Sequence, residues 1–542
     1  MLLAAATAHA QSPAAPGVHA TADDAPAPPV PPVPIDELTL ADDLIGVTGM
    51  RPIAKRRVEV LLSTGTEASH QAALRGTDRL GSLGFELDAY LSASDTTNAR
   101  SAATARVEHD TERTRARAYA GYEALRGDVD IQLFDSDIRT TTYGGAWSRG
   151  SRAGRIAVEA FGGVQQLRDE RPHTGSLELD SSEVGARAEL ARAGHIVGFD
   201  HDLRLGAGLV LASGTARQEL VPDMPGHMMS VPRTRRGEHR FLSAYIKDTI
   251  RVIESLDMSG GFVFETWRWL SSHPPLSDEG DDHMDLDGPD LVEGLLAGPH
   301  VGAMYRIGPR LALHANGYRK LRMPSWHERM RPVQTGAGLT LTNDALRPET
   351  ITGVELGPAL ALRSLEARAV AYVNDITDPI ASVAIGDGLR QRANFGRARE
   401  TGIETAASWR IAKPWLARVT YRIAHAVVTD DADPRLAGKQ LPQRPRQHAT
   451  ALVAFDDPEL VTLTGAVHYV GTRYEDELET RAARAFAVID AMAARTLTGG
   501  IAGFVAVENL LDRRYVAHDA GVDTVGAPRV FRVGLRVDSA RW

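Results

Sequence analysis

Residues 415–469 read WLARVTYRIAHAVVTDDADPRLAGKQLPQRPRQHATALVAFDDPELVTLTGAVHY. Within 417–423, Ala417, Val419, Tyr421 and Ile423 alternate with Arg418, Thr420 and Arg422. Within 461–469, Val461, Leu463, Gly465, Val467 and Tyr469 alternate with Thr462, Thr464, Ala466 and His468. Successive strand residues point to opposite faces, so each run is a strand with one apolar and one hydrophilic face. The links between strands differ in kind. A long one lies near 428–446, and a short one is the Asp456–Glu459 turn.

The same texture extends outward in both directions. Phe85, Leu87, Ala89 and Leu91 alternate with Glu86, Asp88 and Tyr90. Runs at 128–133 and 365–374 repeat the pattern, and helical periodicity longer than two turns is scarce. Long links fall near 269–295, 321–350, 376–397, 428–446, 473–484 and 513–528, and short ones near 307–309, 362–364, 411–414, 456–459 and 497–499. A soluble sandwich has no reason to put every long loop at one end of its strands. A transmembrane barrel does, because its turns on one side are short and its loops on the other are long. Dividing the 487 residues from 56 to 542 by about 22 per strand-plus-link gives roughly 22 strands. The fold class is therefore all-β, a large antiparallel transmembrane barrel whose lumen is wide enough to need a plug. Closure pairs every backbone polar group that lipid would leave unsatisfied.

Composition agrees with this and excludes several alternatives. The chain has 542 residues, no cysteine, and 61 basic against 70 acidic side chains. Length alone would suit three or four soluble domains. The absence of Cys removes disulfides, thiolate zinc sites and thiol nucleophiles, and no apolar run approaches the ~18 residues of a membrane helix. Mild acidity argues against a nucleic-acid partner. The N-terminal MLLAAATAHA (1–10) ends in a small-x-small pattern and reads as a partial signal peptide, with a mere Ala-rich tail as the other reading. Residues 11–55 are a Pro/Ala-rich linker, and residues 56–542 form the barrel.

The C-terminal half resembles a TonB-dependent outer-membrane receptor. The resemblance rests on GYRKLRMPSWHE (317–328) and LRPETITGVELG (346–357), in which Arg322, Pro324, Glu328, Pro348, Glu349, Thr350, Gly353 and Glu355 occupy the family's places. AYVNDITDPIA (371–381), ANFGRARETGIETAASW (393–409), GKQLPQRPRQHA (438–449), YVGTRYED (469–476) and VAVENLLDRRYV (505–516) follow in the family's order, the last carrying Asn509, Leu510 and Asp512. These motifs read as architectural: they identify a scaffold. The resemblance implies a barrel in the outer membrane of a Gram-negative bacterium that takes up a small substrate such as a metal chelate. It implies lipid, the assembly machinery and TonB as partners. The final strand (Phe531, Val533, Leu535, Val537) with Trp542 is similar to the aromatic signal that machinery reads, although Trp542 has the opposite parity. The family places a plug domain before the first strand. Only about 45 residues separate the signal from the barrel here, with the acidic, amphipathic stretch 35–50 as a plug vestige or a lumen-occupying helix. The expectation is a barrel with no recognisable plug, its lumen filled by in-folded loops, by residues 11–55 or by a separate partner chain. The alternative function is then a pore or interaction module.

Candidate chemistry is sparse. Two predicted loops mix soft and hard ligands: His227, Met228 and Met229 in one, His283 and Met284 among carboxylates in the other. Thioether with imidazole suits copper, and clustered carboxylates suit harder divalent ions; solvated loops with incidental Met and His remain the other reading. No cofactor is otherwise implied. No G-x-S-x-G, H-E-x-x-H or P-loop pattern occurs, so no enzyme is expected. Arginine outnumbers lysine 56 to 5. Arg368, Arg418, Arg422, Arg532 and Arg536 share the lumen parity, as members of internal charge ladders or as contacts for an anionic substrate.

Overall fold

The computed structural model describes residues 56–539 apart from 67–68, 94–98, 112–113, 129–134, 152–153, 172–174, 221–230, 273–289, 336–337, 387–388, 458 and 520–522. Twenty-two antiparallel strands form one sheet. The sheet closes where strand Arg57–Gly65 pairs with strand Val530–Asp538, from Glu59 opposite Asp538 to Gly65 opposite Arg532. Arg57 fastens the seam, donating from Nη2 to Asp538 at 2.7 Å and from Nε at 3.1 Å. The turns at one rim are short, such as 197–198, 308–310 and 362–364. The links at the other rim include the long stretches 323–348, 378–396 and 431–446. The alternation of link lengths predicted from sequence is thus the alternation of the barrel's two ends. The run predicted at 128–133 falls almost wholly on residues outside those described.

Where the outward face is apolar decides where the lipid lies. In strand Phe199–Leu220 the outward residues from Leu203 through Leu211 are apolar, a nine-residue stretch. That matches the ~9–11 tilted residues a barrel strand needs to cross the hydrocarbon. Beyond it the same face turns polar: Ser213, Thr215 and Arg217. The neighbouring strands change at the same level. Ser182 and Glu238 both pair with Ser213, and outward Arg217 bonds Glu178 at 3.2 Å. At the short-turn rim, Phe85, Trp147, Phe199, Tyr305, Trp409 and Trp415 are outward and exposed, the aromatic girdle expected at a membrane interface.

The inward face does the opposite. Within the lipid zone it is charged and internally paired: Arg75 with Asp88 (2.9 Å) and Glu86 (3.1 Å), Glu86 with Arg106, and Glu159 with Arg187. Above the lipid zone it becomes apolar, with Leu167, Leu177, Leu179, Ala216 and Trp269 forming a buried cluster. The polarity inverts because the solvent inverts: lipid outside the lower wall, water outside the upper wall. Strands Gly175–Ile196, Phe199–Leu220 and Val231–Ile253, of 22, 22 and 23 residues, carry this upper wall.

Candidate functional site

The upper wall encloses a vestibule, and the loops from the C-terminal half fold into it. The link 323–348 enters first. Ser325 caps the short helix Trp326–Met330: its Oγ accepts from the Glu328 amide at 3.2 Å, and the Ser325 amide donates back to Glu328 at 2.7 Å. This reciprocal pair is the capping box written in the sequence as Ser-x-x-Glu. The helix presents Trp326 and Met330 to the buried wall cluster. The Trp326 ring meets Trp269 edge-on at 5.2 Å, and Arg329 lies 4.6 Å over the Trp269 ring. Trp269 and Met330 are each 1% exposed.

Three charged motif residues anchor this loop to the barrel. Arg322, at the end of strand Leu311–Arg322, donates to Glu349 from Nε (2.7 Å) and Nη2 (2.8 Å) and to Glu328 from Nη1 (3.2 Å). Glu349 opens the next strand, is 1% exposed, and also accepts the Ile380 amide at 2.7 Å. One carboxylate therefore ties together both strand ends and the start of the following loop. Burial acts to raise the Glu328 carboxyl, but Arg322 and the Ser325 bonds outweigh it and hold it below the ordinary glutamate range. Pro324 and Pro348 are buried at the two bends of the link.

A second layer closes over the first. Strands Val333–Thr335, Gly338–Leu341, Leu389–Asn394 and Ile380–Gly386 form a four-stranded sheet from two loops. Arginines stitch it down through backbone carbonyls: Arg329 to Asp344 (2.8 Å) and Leu346, and Arg392 to Arg331 (2.9 Å). Burial pushes the Arg329 guanidinium down to about 10 and lowers Arg392 as well. Arg390 pairs with Glu477 at 3.2 Å, both buried, joining the sheet to the link 471–485. A second apolar cluster, with Phe395, Val428, Leu436 and Leu441, lies among the links 378–396 and 431–446. The interior is rich in fixed guanidinium groups that spend their hydrogen bonds on neutral carbonyls. That is a cavity wall suited to a polar, anionic or aromatic guest held without covalent chemistry.

The residues singled out from sequence fall in several places. Arg422 faces the lumen and bonds Glu400 (2.6 Å), which also holds Arg444 (2.9 Å) and the Tyr372 hydroxyl (2.9 Å). Arg532 pairs with Glu508 at 2.9 Å, and Arg536 with Glu59. These three belong to charge ladders. Arg368 and Arg418 share the inward parity on the two strands that flank Arg397–Ala412 but make no ion pair with a described residue; Arg418 lies within electrostatic reach of Glu366. Glu355 accepts from Asn316 at 2.8 Å. Gly353 lies beside the Tyr318 ring, which a Cβ would meet at 2.9 Å. Asn509, at φ 50°, donates to the carbonyls of Arg513 and Ala527 (3.0 Å each) and accepts the Arg513 amide (2.8 Å). Asp512, also at φ 50°, accepts the Arg529 amide at 3.1 Å, while Leu510 is exposed beside them. His227, Met228, Met229, His283 and Met284 lie outside the described residues, as does the segment 1–55. Among the described residues no group of three or more His, Asp or Glu is disposed to hold a metal.

Sequence reasoning missed Trp269, Trp326, Arg329, Arg392 and the Arg390–Glu477 pair. The available signal was a change of phase. In Gly175–Ile196 the apolar positions shift from odd (Leu177, Leu179) to even (Val184, Leu190), although pairing with the next strand runs on without a register shift.

A closed sheet of 22 antiparallel strands with loop ends tied by an Arg-Glu-Glu cluster defines a large transmembrane β-barrel. The family model for the β-barrel of TonB-dependent receptor-like proteins matches residues 58–510, and the chain belongs to that family. The pesticin receptor of Yersinia enterocolitica is 25% identical over 312 residues, 55% of this chain and 43% of the receptor. The match thus spans less than half the length of that curated relative. The siderophore receptor PiuA from Acinetobacter baumannii superposes with a TM-score of 0.74 at 12% identity, covering 90% of this chain and 82% of that one. The ferric yersiniabactin uptake receptor FyuA from Yersinia pestis gives 0.72 at 16%, covering 90% and 80%.

Proposed function

We propose that this barrel serves as the outer-membrane receptor and transporter for a small anionic chelate, captured in the vestibule and released through the lumen. The observation that carries the reading is the vestibule itself. An upper wall is raised above the lipid with its apolar face inward, and arginines fixed on backbone carbonyls bring positive charge into the loop layer inside it. The names of PiuA and FyuA as siderophore and ferric-yersiniabactin receptors support metal chelates as the cargo class. Energy coupling through TonB belongs to the same proposal, with family membership as its support.

The indoles of Trp269 and Trp326 provide the readout. Titrating the purified protein with a panel of ferric chelates is expected to give saturable quenching of tryptophan fluorescence for at least one, lost in Trp269→Phe combined with Trp326→Phe. No saturable response to any member, together with no growth defect of a deletion strain on chelated iron, would overturn the reading.

A second reading, a lumen filled by a separate chain, draws on Arg368 and Arg418. Two inward cations that make no ion pair with a described residue suit an occupant that carries acidic groups. Single-channel recordings separate the two: an open pore that silences on adding a co-purified chain favours the second.

A further inference from the structure

The outer wall beside the seam carries a feature that transport does not use. A groove of about 710 Å³ runs along the lipid-facing side, lined by Leu62, Leu497, Val505, Val533 and Leu535 around Gly503, with Arg495 at its edge. These five apolar side chains are strongly exposed on the outward parity, from 49% at Leu535 to 63% at Leu497. The volume falls within the roughly 300–1,000 Å³ typical of small-molecule sites.

Two observations give this groove a particular guest. The first is Gly503. At some barrel positions glycine is required by a neighbour: at Gly402 a Cβ would lie 2.6 Å from both the Tyr372 ring and the Ile423 carbonyl. At Gly503 a Cβ would meet only Leu497 and Leu535 side chains, at 3.5 and 3.9 Å, which is ordinary contact. Glycine inside a strand weakens it, and no neighbouring group demands it here; what the missing side chain leaves is the groove. The second is Arg495. It projects outward three residues before the Thr498–Ile501 turn and makes no ion pair or hydrogen bond with a described residue. Two residues away, Ala493 sits on a ladder with Leu463, Phe455 and Trp415, the last part of the aromatic girdle. Arg495 is therefore at headgroup depth on the short-turn side, with an apolar channel leading from it toward the bilayer centre. A cation at the interface beside a dry channel matches an anionic phosphate joined to an acyl chain.

We infer that this groove is a binding site for a phospholipid of the short-turn leaflet, its phosphate on Arg495 and one acyl chain over Gly503. The proposal does not depend on the cargo of the vestibule.

The test is native mass spectrometry of the full-length protein extracted in a mild detergent, followed by titration with phosphatidylglycerol. The protein should carry one phospholipid through delipidating washes. Arg495→Gln should lower retention at least tenfold. Gly503→Leu, whose Cβ meets only side-chain carbons at 3.5 Å or more and whose side chain would occupy the groove, should abolish it while the barrel still shows its heat-dependent gel shift. Retention unchanged in both folded variants, lipid A in place of phospholipid, or a wild-type protein free of bound lipid would each overturn the assignment.

Discussion

Replacing Glu349 by Gln removes one charge and little volume, and its effect can be worked from the contacts. Glu349 is buried and accepts two charged bonds from Arg322 and one from the Ile380 amide. Removing one partner of a buried ion pair costs about 3–5 kcal/mol, chiefly because the other charge stays behind uncompensated. Here Arg322 keeps Glu328 at 3.2 Å, and the glutamine oxygen still accepts the Ile380 amide, so about 2–3 kcal/mol is expected. The loss falls on the docked loop, since the barrel's ladder hydrogen bonds are untouched. At about 1.4 kcal/mol per tenfold, the open population of 323–348 rises roughly 30- to 150-fold. Limited proteolysis, in the regime where reclosing outpaces cleavage, should show that increase within the loop, with the melting of the barrel unchanged. Adding Arg322→Met to the variant should recover part of the protection, because the orphaned cation is gone. Equal cleavage of wild type and Glu349→Gln would refute the reasoning, as would global unfolding of the variant.

Other consequences follow from neighbouring features. Against the upward push of burial, Arg322 and the bonds from Ser325 hold the Glu328 carboxyl below its ordinary range. Its contribution is therefore complete above the unfolded value of about 4.3 and disappears as pH falls through the lower folded value. Loop protection should stay flat from pH 8 to 5 and drop below that, and Glu328→Gln should be weaker at neutral pH but lack the acid-dependent drop. The two-residue turn Val197-Gly198 has both φ angles positive, 50° and 86°. A β-branched residue is strained there, and Asn is favoured in such a turn. Val197→Asn should raise the barrel's stability by about 1 kcal/mol, read as a slower unfolding rate in urea; a faster rate would contradict this. Gly402→Leu forces a side chain against the Tyr372 ring and a backbone oxygen and should cost about 1–3 kcal/mol, seen as a reduced folded fraction on unheated gels. Gly503→Leu is the matched control.

The barrel was legible because lipid enforces strict alternation: Ala417, Val419 and Ile423 outward, Arg418 and Arg422 inward, all in the phase read from sequence. The rim was legible from link length alone. The vestibule was not, because alternation reports which face is dry without reporting which side of the wall it is on. Leu177 and Val184 are equally apolar, yet one packs under a loop and the other meets lipid. The anchoring motif was recognised by its spelling, while its geometry depends on a contact between Arg322 and Glu349 across 27 positions. The ladder arginines differed from Arg368 and Arg418 only through partners on neighbouring strands, which a single strand's pattern does not encode.

The unequal strand lengths also bear on how the cylinder forms. The tall hairpin 175–220 joins residues close in sequence around a two-residue turn. The seam joins Glu59 to Asp538, 479 positions apart, along strands of only nine residues. Loop-closure entropy falls hardest on such distant partners, and the short ladder offers few bonds in return. Assembly should therefore begin at the high wall and finish at the low one, so the first and last strands are the gate through which the cylinder closes.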